Sequence, residues 1–504
     1  MNESISVGAK RLPDNEAEGS PHKQKRGKVT AWRFLPIETY PNIVALVQTP
    51  LGRVLFFVLF AIFLHPFSDL WLPVTVAAAA AAYAGQYRSR VVTLATLGFL
   101  LLYTGWIDWR SASFVGAGEG VGPEIVRHLN AVTLSLFFLI SGTALYCVRR
   151  WNERAFVRRP ILGMHVIFLL LILLGVSSWL HGIPRVAIWS FIGTFAAFFW
   201  FLCYALKDMR AKDSSSIWTQ FGVFHPFWGS STTPIGKGAA YLRRVEAKNP
   251  QDLAVSQLKG LKLLMWVWVL QFISIAMQRI AVGVLHVPTL DDALIKHMSG
   301  HPLPWYTCWA SIIYSFFLGM IDIAIFGDVY VAGARIAGYP ILRNSYRPLS
   351  SKTFADFWNR YYYYFKELLV EVFFFPTFLR YFKGNMRLRL FVATFMAAGV
   401  GNWIFHMMKE LKSVPQMGLL KTVLASQNYM FYCAVLAIGI GLSQMKKRSA
   451  PNRHDGWLRA EALPSLRVLV AYCLLEVFMY PHSPYSLREH FSFLFHCFGV
   501  NGWI

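Results

Sequence analysis

Eleven long apolar runs dominate this chain, at 54–67, 70–85, 91–107, 130–148, 160–180, 185–206, 261–286, 305–326, 388–408, 428–445 and 464–482. In hydrocarbon a backbone must satisfy its own polar groups, so only helices and closed barrels cross a bilayer. Barrel strands alternate apolar and polar residues, whereas these runs are continuous. The sequence therefore predicts an all-α fold: a polytopic membrane helical bundle of about ten or eleven spans. The first two runs are short and suit tilted or re-entrant helices. Composition agrees, because only 15% of residues are charged, against about 25% in soluble domains.

The formal net charge is +23. In a soluble protein that balance would point to nucleic acid. Here the basic residues sit between apolar runs, where they orient the chain and meet anionic lipid. Membrane lipids are thus expected partners, and no nucleic-acid module is visible. With the N-terminal tail placed inside, Arg88 and Arg90 fall inside, as do Arg149, Arg150, Arg154, Arg158 and Arg159. Lys207, Arg210 and Lys212 follow, then Arg335, Arg343 and Arg347, and finally Lys446, Lys447 and Arg448. The opposite loop at 287–304 carries Asp291 and Asp292.

Residues 1–50 are polar, with basic Lys23, Lys25, Arg26 and Lys28. They read as a disordered cytoplasmic tail, without a cleavable signal, ahead of one membrane-embedded domain at 51–504. The six cysteines form no C-x-x-C pair and mostly lie in apolar runs, where cysteine acts as a small hydrophobe. Neither a disulfide framework nor a metal site is expected. No internal repeat suggests a transporter, and few charges interrupt the apolar runs beyond Arg279, Asp322 and Glu476.

One stretch departs from this pattern. Residues 354–375 carry Phe354, Phe357, Trp358, Tyr361, Phe365, Leu368, Leu369 and Val372 at helical spacing, punctuated by Asp356, Arg360, Lys366, Glu367 and Glu371. So many charges predict an interfacial or re-entrant helix over 354–382. Counting it as non-spanning also keeps the basic loops on one side.

Two regions can carry chemistry. The loop 221–238, FGVFHPFWGSSTTPIGKG, combines Pro226 and Pro234 with the hydroxyls of Ser230, Ser231, Thr232 and Thr233. On composition alone it is an ordinary turn-rich loop. The second region runs from Gly327 to His406. Asp328 and Arg335 share a helical face and can pair; Asp356 and Arg360, four apart, can pair too. His406 ends an apolar run. A lone histidine there is ordinarily a packing or interfacial residue, but an intramembrane imidazole is costly and can serve as a general base.

The order of these residues resembles the membrane-bound O-acyltransferase superfamily. The likeness is to its bacterial branch of alginate O-acetyltransferases and teichoic-acid D-alanyl transferases. The matching residues are Asp328, the run around Gly333, Arg335 and Gly338, then Asn344, Arg347–Pro348, and Phe357–Trp358–Asn359–Arg360. Pro234–Ile235 resembles the family's Gly-Pro-Ile loop, with Thr233 in place of the glycine. His406, 48 residues after Trp358, occupies the place of the family's later histidine. Tyr361–Tyr362 stand where that branch has Trp-His, and the later motif reads Asn402–Trp403–Ile404–Phe405–His406.

The resemblance implies a bundle with a central cavity in the bacterial cytoplasmic (inner) membrane. It implies transfer of an acyl group from a thioester donor (acyl-CoA or an acyl carrier) to a hydroxyl acceptor, with no tightly bound cofactor and no metal. The acceptor would be a polysaccharide, lipid or small molecule, and accessory acyl-transfer proteins are conceivable partners. His406 would be the base, with Asn359 and Tyr362 assisting and Trp358, Arg360, Asp328, Arg335, Trp403 and Asn402 around the cavity. The alternative is a catalytically inactive scaffold or lipid-binding subunit of the same lineage, which the two tyrosines favour.

The orientation is testable. Cysteines placed within 207–260 should resist a membrane-impermeant maleimide added from outside and react once the membrane is opened. Labelling of intact cells at those positions would overturn the orientation.

Overall fold

The computed structural model describes residues 34–151, 153–154, 158–211, 215–229, 232–445, 456–480 and 484–500. These residues form an all-α membrane bundle, with no strand among them. Each apolar run becomes a helix. Seven are long and apolar enough to cross a bilayer: Pro50–Phe67, Pro123–Arg150, Gly182–Met209, Pro250–Val284, Trp305–Ile336, Met386–Lys409 and Gln427–Met445. The other four runs fold as Trp71–Tyr83, Arg88–Leu102, Pro160–Val176 and Leu463–Glu476, of 13, 15, 17 and 14 residues. At 1.5 Å per residue these rise only about 20–26 Å, short of a hydrocarbon core about 30 Å thick. The full-length helices are therefore fewer than the ten or eleven expected.

The tail is also shorter than its composition suggests. Pro41–Gln48 is a helix that buries Val44 and Val47. Just before it, Phe34 meets Trp266 edge-on at 5.2 Å, and Glu38 pairs with Lys262. The basic run Lys23–Lys28 lies outside the described residues, as do Lys212, Ser230, Ser231 and Lys446–Arg448.

Burial identifies the central helix. Gly182–Met209 has 78% of its apolar window enclosed, against 22% for Pro50–Phe67. Its Trp189, Phe198, Phe199, Trp200 and Phe201 are almost wholly buried. Pro50–Phe67 instead turns Leu51, Val54, Leu55 and Val58 outward, as lipid contact requires.

Beside this core, the helices Pro250–Gln278 and Trp305–Ile336 pack closely at Gly260. A Cβ on Gly260 would fall 2.9 Å from Ile336 Cγ1 and 3.0 Å from the Ala332 carbonyl. Ser256 Oγ donates to the Arg335 carbonyl at 2.8 Å across the same interface. Gly260→Leu should therefore wedge the two helices apart at a cost of about 1–3 kcal/mol, read as a lower melting temperature in detergent. An unchanged melting temperature would contradict the packing.

Candidate active site

The site is assembled from the C-terminal end of Trp305–Ile336 outward. That helix ends in a left-handed glycine turn: Gly338 has φ +97°. Tyr339 N donates to the Ala334 carbonyl at 2.9 Å and Gly338 N to the Arg335 carbonyl at 3.1 Å. This pairing satisfies the last carbonyls and reverses the chain. The returning segment carries Arg343 back to Asp328, whose Oδ2 accepts from Arg343 Nη2 at 2.8 Å. Asp328 is fully buried, and its Oδ1 has no hydrogen-bond partner among the described residues.

Arg335, the expected partner of Asp328, donates from Nε to the Ile341 carbonyl at 2.9 Å. Seven residues put the two on one face about 10.5 Å apart along the axis, and the ion pair that Asp328 makes is with Arg343 instead. The Asp356–Arg360 pair forms as its spacing predicts, at 2.8 Å, and Arg360 also donates to Ser350 Oγ at 3.1 Å.

The segment held by Asp328 then props open a helix. Phe354–Tyr361 stops and Tyr363–Leu369 starts afresh, with Tyr362 between them at φ −137°, ψ 75°. Tyr346 N donates to the Arg360 carbonyl at 2.8 Å, and Ser345 Oγ bonds the Tyr361 carbonyl. Tyr363 N donates to the Asn344 carbonyl at 2.8 Å, and Tyr364 Oη to the Leu342 carbonyl at 2.9 Å. These bonds replace the helical bonds lost at the break. The element is no surface helix: Phe357, Tyr364, Leu368 and Leu369 are fully buried. It is not among the helices apolar enough to cross the membrane.

The described parts of the 224–238 loop, 224–229 and 232–238, close on the same break. Pro234 and Lys237 bracket a turn with Gly236 at φ +97° and a 3.1 Å bond from Lys237 N to the Pro234 carbonyl, a conformation that favours glycine. Phe224, Phe227, Trp228 and Thr233 are buried, so this irregular backbone sits inside protein rather than against lipid. Thr233 Oγ1 accepts from Tyr362 Oη at 3.1 Å. Lys237 pairs with Glu367, which also pairs with Lys366. Burial pushes the Glu367 carboxyl up, but the two lysines outweigh it and hold it below the usual range. Burial lifts the nearby Tyr241 phenol to about 12.

His406 enters from the next spanning helix. Two π-helical turns set its position, Val370–Phe374 and Met396–Gly401. They meet where a Cβ on Gly401 would fall 2.5 Å from Phe373 Cδ2. Such bulges rotate the residues that follow and recur at functional sites. His406 then lies on Phe365, with ring centroids 6.0 Å apart, and on Tyr429 at 4.6 Å. Phe365 also meets Trp358 at 5.9 Å and Tyr362 at 5.4 Å. One phenylalanine thus gathers three of the residues singled out from the sequence.

His406 is half-buried, and its ring nitrogens have no hydrogen-bond partner among the described residues. They are not among the fully sealed, unpartnered atoms either, so the imidazole keeps some exposure. Asn402 Oδ1 accepts from Tyr429 Oη at 3.1 Å, and Trp403 Nε1 donates to Ser426 Oγ at 3.0 Å. Those two residues brace the helix around the histidine. Asn359 is half-buried, with no side-chain hydrogen bond among the described residues. Arg360, Arg335 and Asp328 form the scaffold behind the break. Sequence reasoning missed Phe365 as the hub, Arg343 as the ion-pair partner and Tyr429 as the neighbour of His406.

Two surface grooves, of about 770 Å³ and 600 Å³, open on the apolar exterior, and no residue of this site lines either. No group of three or more metal-ligating side chains occurs among the described residues. Compared with known proteins, the chain matches no family profile and no curated protein.

The ion pair makes an ordered prediction. Asp328 is fully buried whereas the Arg343 side chain keeps 30% exposure. Arg343→Ala, which strands the buried carboxylate, should destabilise by about 3–5 kcal/mol. Asp328→Ala leaves a cation that can turn toward solvent, so it should cost less. Melting temperatures of the two variants check the order, and the reverse order would contradict it.

Proposed function

We propose that this chain is a membrane-bound O-acyltransferase, moving an acyl group from a thioester donor to a hydroxyl acceptor with His406 as general base. The observation that carries the reading is a half-buried imidazole, with no hydrogen-bond partner among the described residues, packed on Phe365 beside the broken helix at Tyr362. An imidazole is suited to the task because its basicity lies near neutrality. The order of Asp328, Asn344, Phe357–Trp358–Asn359–Arg360 and His406 supports the family assignment.

In the proposed reaction His406 takes the acceptor's hydroxyl proton as its oxygen attacks the thioester carbonyl. The tetrahedral intermediate collapses with cleavage of the C–S bond. The imidazolium then returns the proton to the departing thiolate, so the base is regenerated each turnover. Tyr362 donates to Thr233, a bond that holds the phenol at the break in the helix, beside the proposed reaction centre. Asn359, on the same broken helix, supplies an amide donor toward the carbonyl oxygen as charge develops. The donor is a co-substrate, either acyl-CoA or an acyl carrier. The acceptor belongs to the hydroxyl-bearing polysaccharides, lipids or small molecules, and accessory acyl-transfer proteins would share the task. The reading places the chain in the bacterial cytoplasmic membrane with its N-terminus in the cytoplasm.

A second reading, a lipid- or acyl-binding scaffold without turnover, draws on Tyr361–Tyr362. Tyr361 is turned away from His406, packed on Phe357 at 5.1 Å with its hydroxyl toward the Gly319 carbonyl at 3.5 Å. The two readings diverge at one variant. His406→Ala should keep its melting temperature while transfer of labelled acyl groups from a thioester falls about 10²–10⁴-fold in membranes carrying the protein. Unchanged transfer would reject the base, and loss of folding alone would favour the scaffold.

A further inference from the structure

Composition gives no reason to expect a disulfide, yet the fold brings two distant cysteines together. Cys308 lies in the first turn of Trp305–Ile336, and Cys497 ends the last helix, Leu487–Cys497. Both belong to one buried cluster, and both thiols are free in the structure. Trp309 Nε1 donates to the Cys497 carbonyl at 2.8 Å, which fixes the two helices at this level.

The compartment follows from the geometry of one helix. Trp305–Ile336 has 32 residues and rises about 48 Å, more than a hydrocarbon core of about 30 Å. Cys308 is therefore on the opposite side of the membrane from Arg335, Arg343 and Arg347. With those basic residues in the cytoplasm, Cys308 and Cys497 face the outer compartment, where disulfides persist. Asp291 and Asp292 lie on the same side.

A histidine stands ready beside the pair. His496 Nε2 lies 2.6 Å from the Leu303 carbonyl, to which the Cys308 thiol also donates at 3.7 Å, so the imidazole, next in sequence to Cys497, is a neighbour of the Cys308 sulfur. Its ring is 5.1 Å from that of His297, which in turn meets Ser492 Oγ at 3.1 Å. A neighbouring imidazole can take a thiol proton and raise the fraction of reactive thiolate.

We propose that Cys308 and Cys497 form a disulfide that clamps the C-terminal helix to the outer end of Trp305–Ile336. The oxidant is a protein disulfide of the outer compartment. The Cys308 thiolate attacks it, its S–S bond breaks and a mixed disulfide forms. The Cys497 thiolate then attacks the Cys308 sulfur and expels the oxidant's second sulfur. Two electrons and two protons pass to the oxidant, which leaves as a dithiol. Both cysteines are at most 1% exposed once packed, so exchange precedes docking of the last helix. The proposal rests on the charge-based orientation and not on acyl transfer.

The full chain, in membranes collected from growing cells, tests it. Free thiols are blocked with N-ethylmaleimide in denaturant, then disulfides are reduced and new thiols receive a mass-tagged maleimide. Two tags are expected on the wild type and none on Cys308→Ser or Cys497→Ser. Because those variants can fail to fold, a non-reducing digest of the wild type is the second readout. It should contain a peptide pair joining Cys308 to Cys497 that separates on reduction. No tags on the wild type, or a digest without that pair, would overturn the proposal.

Discussion

The buried ion pair between Asp328 and Arg343 is the contact on which the candidate site depends. A carboxylate with no exposure in the middle of a membrane protein is costly unless a cation comes to it. The glycine turn at Gly338 delivers that cation by folding the chain back along its own helix. Residues 342–346, fixed in this way, supply the hydrogen bonds that let the 354–369 helix break at Tyr362. An uninterrupted helix there would carry Tyr362 and Phe365 in a different register. The tyrosine would then be lost to Thr233, and the phenylalanine to His406.

Burial on its own would make a poor catalyst, because a fully enclosed imidazole has nothing to react with. The contact between Gly401 and Phe373 addresses this by letting two bulged helices approach without a side chain between them. The outcome is a histidine packed on aromatic faces that keeps some exposure. One turn beyond the Tyr362 break, Lys366 and Glu367 of the broken helix form a charged cluster with Lys237 of the 224–238 loop. Its ionic character separates this element from the lipid-facing helices, which expose Leu, Val and Ile instead.

Much of this was legible in the sequence. Every apolar run marks a helix, since burial in lipid demands continuous hydrophobicity. The charges at Arg360, Lys366, Glu367 and Glu371 marked the segment that lacks a spanning helix. Span number was less legible, because hydropathy does not reveal where a helix ends: Trp71–Tyr83 stops after 13 residues. The partner of Asp328 was hidden for a tertiary reason. Helical spacing pointed to Arg335, whereas the reversal at Gly338 favours Arg343. The break at Tyr362 was equally hidden, being imposed by bonds from residues 342–346 that no local pattern announces. Asp356–Arg360, a purely local pair, was read correctly.

The central claim is that the space beside His406, Tyr362 and Phe365 receives the acyl thioester. A photoreactive acyl thioester, irradiated with the protein in its membrane and followed by peptide mapping, tests it most directly. Labelling is expected on the peptides that carry Tyr362–Phe365 and Asn402–His406, suppressed by excess unmodified thioester. Labelling confined to the lipid-facing helices, and indifferent to that competitor, would contradict it.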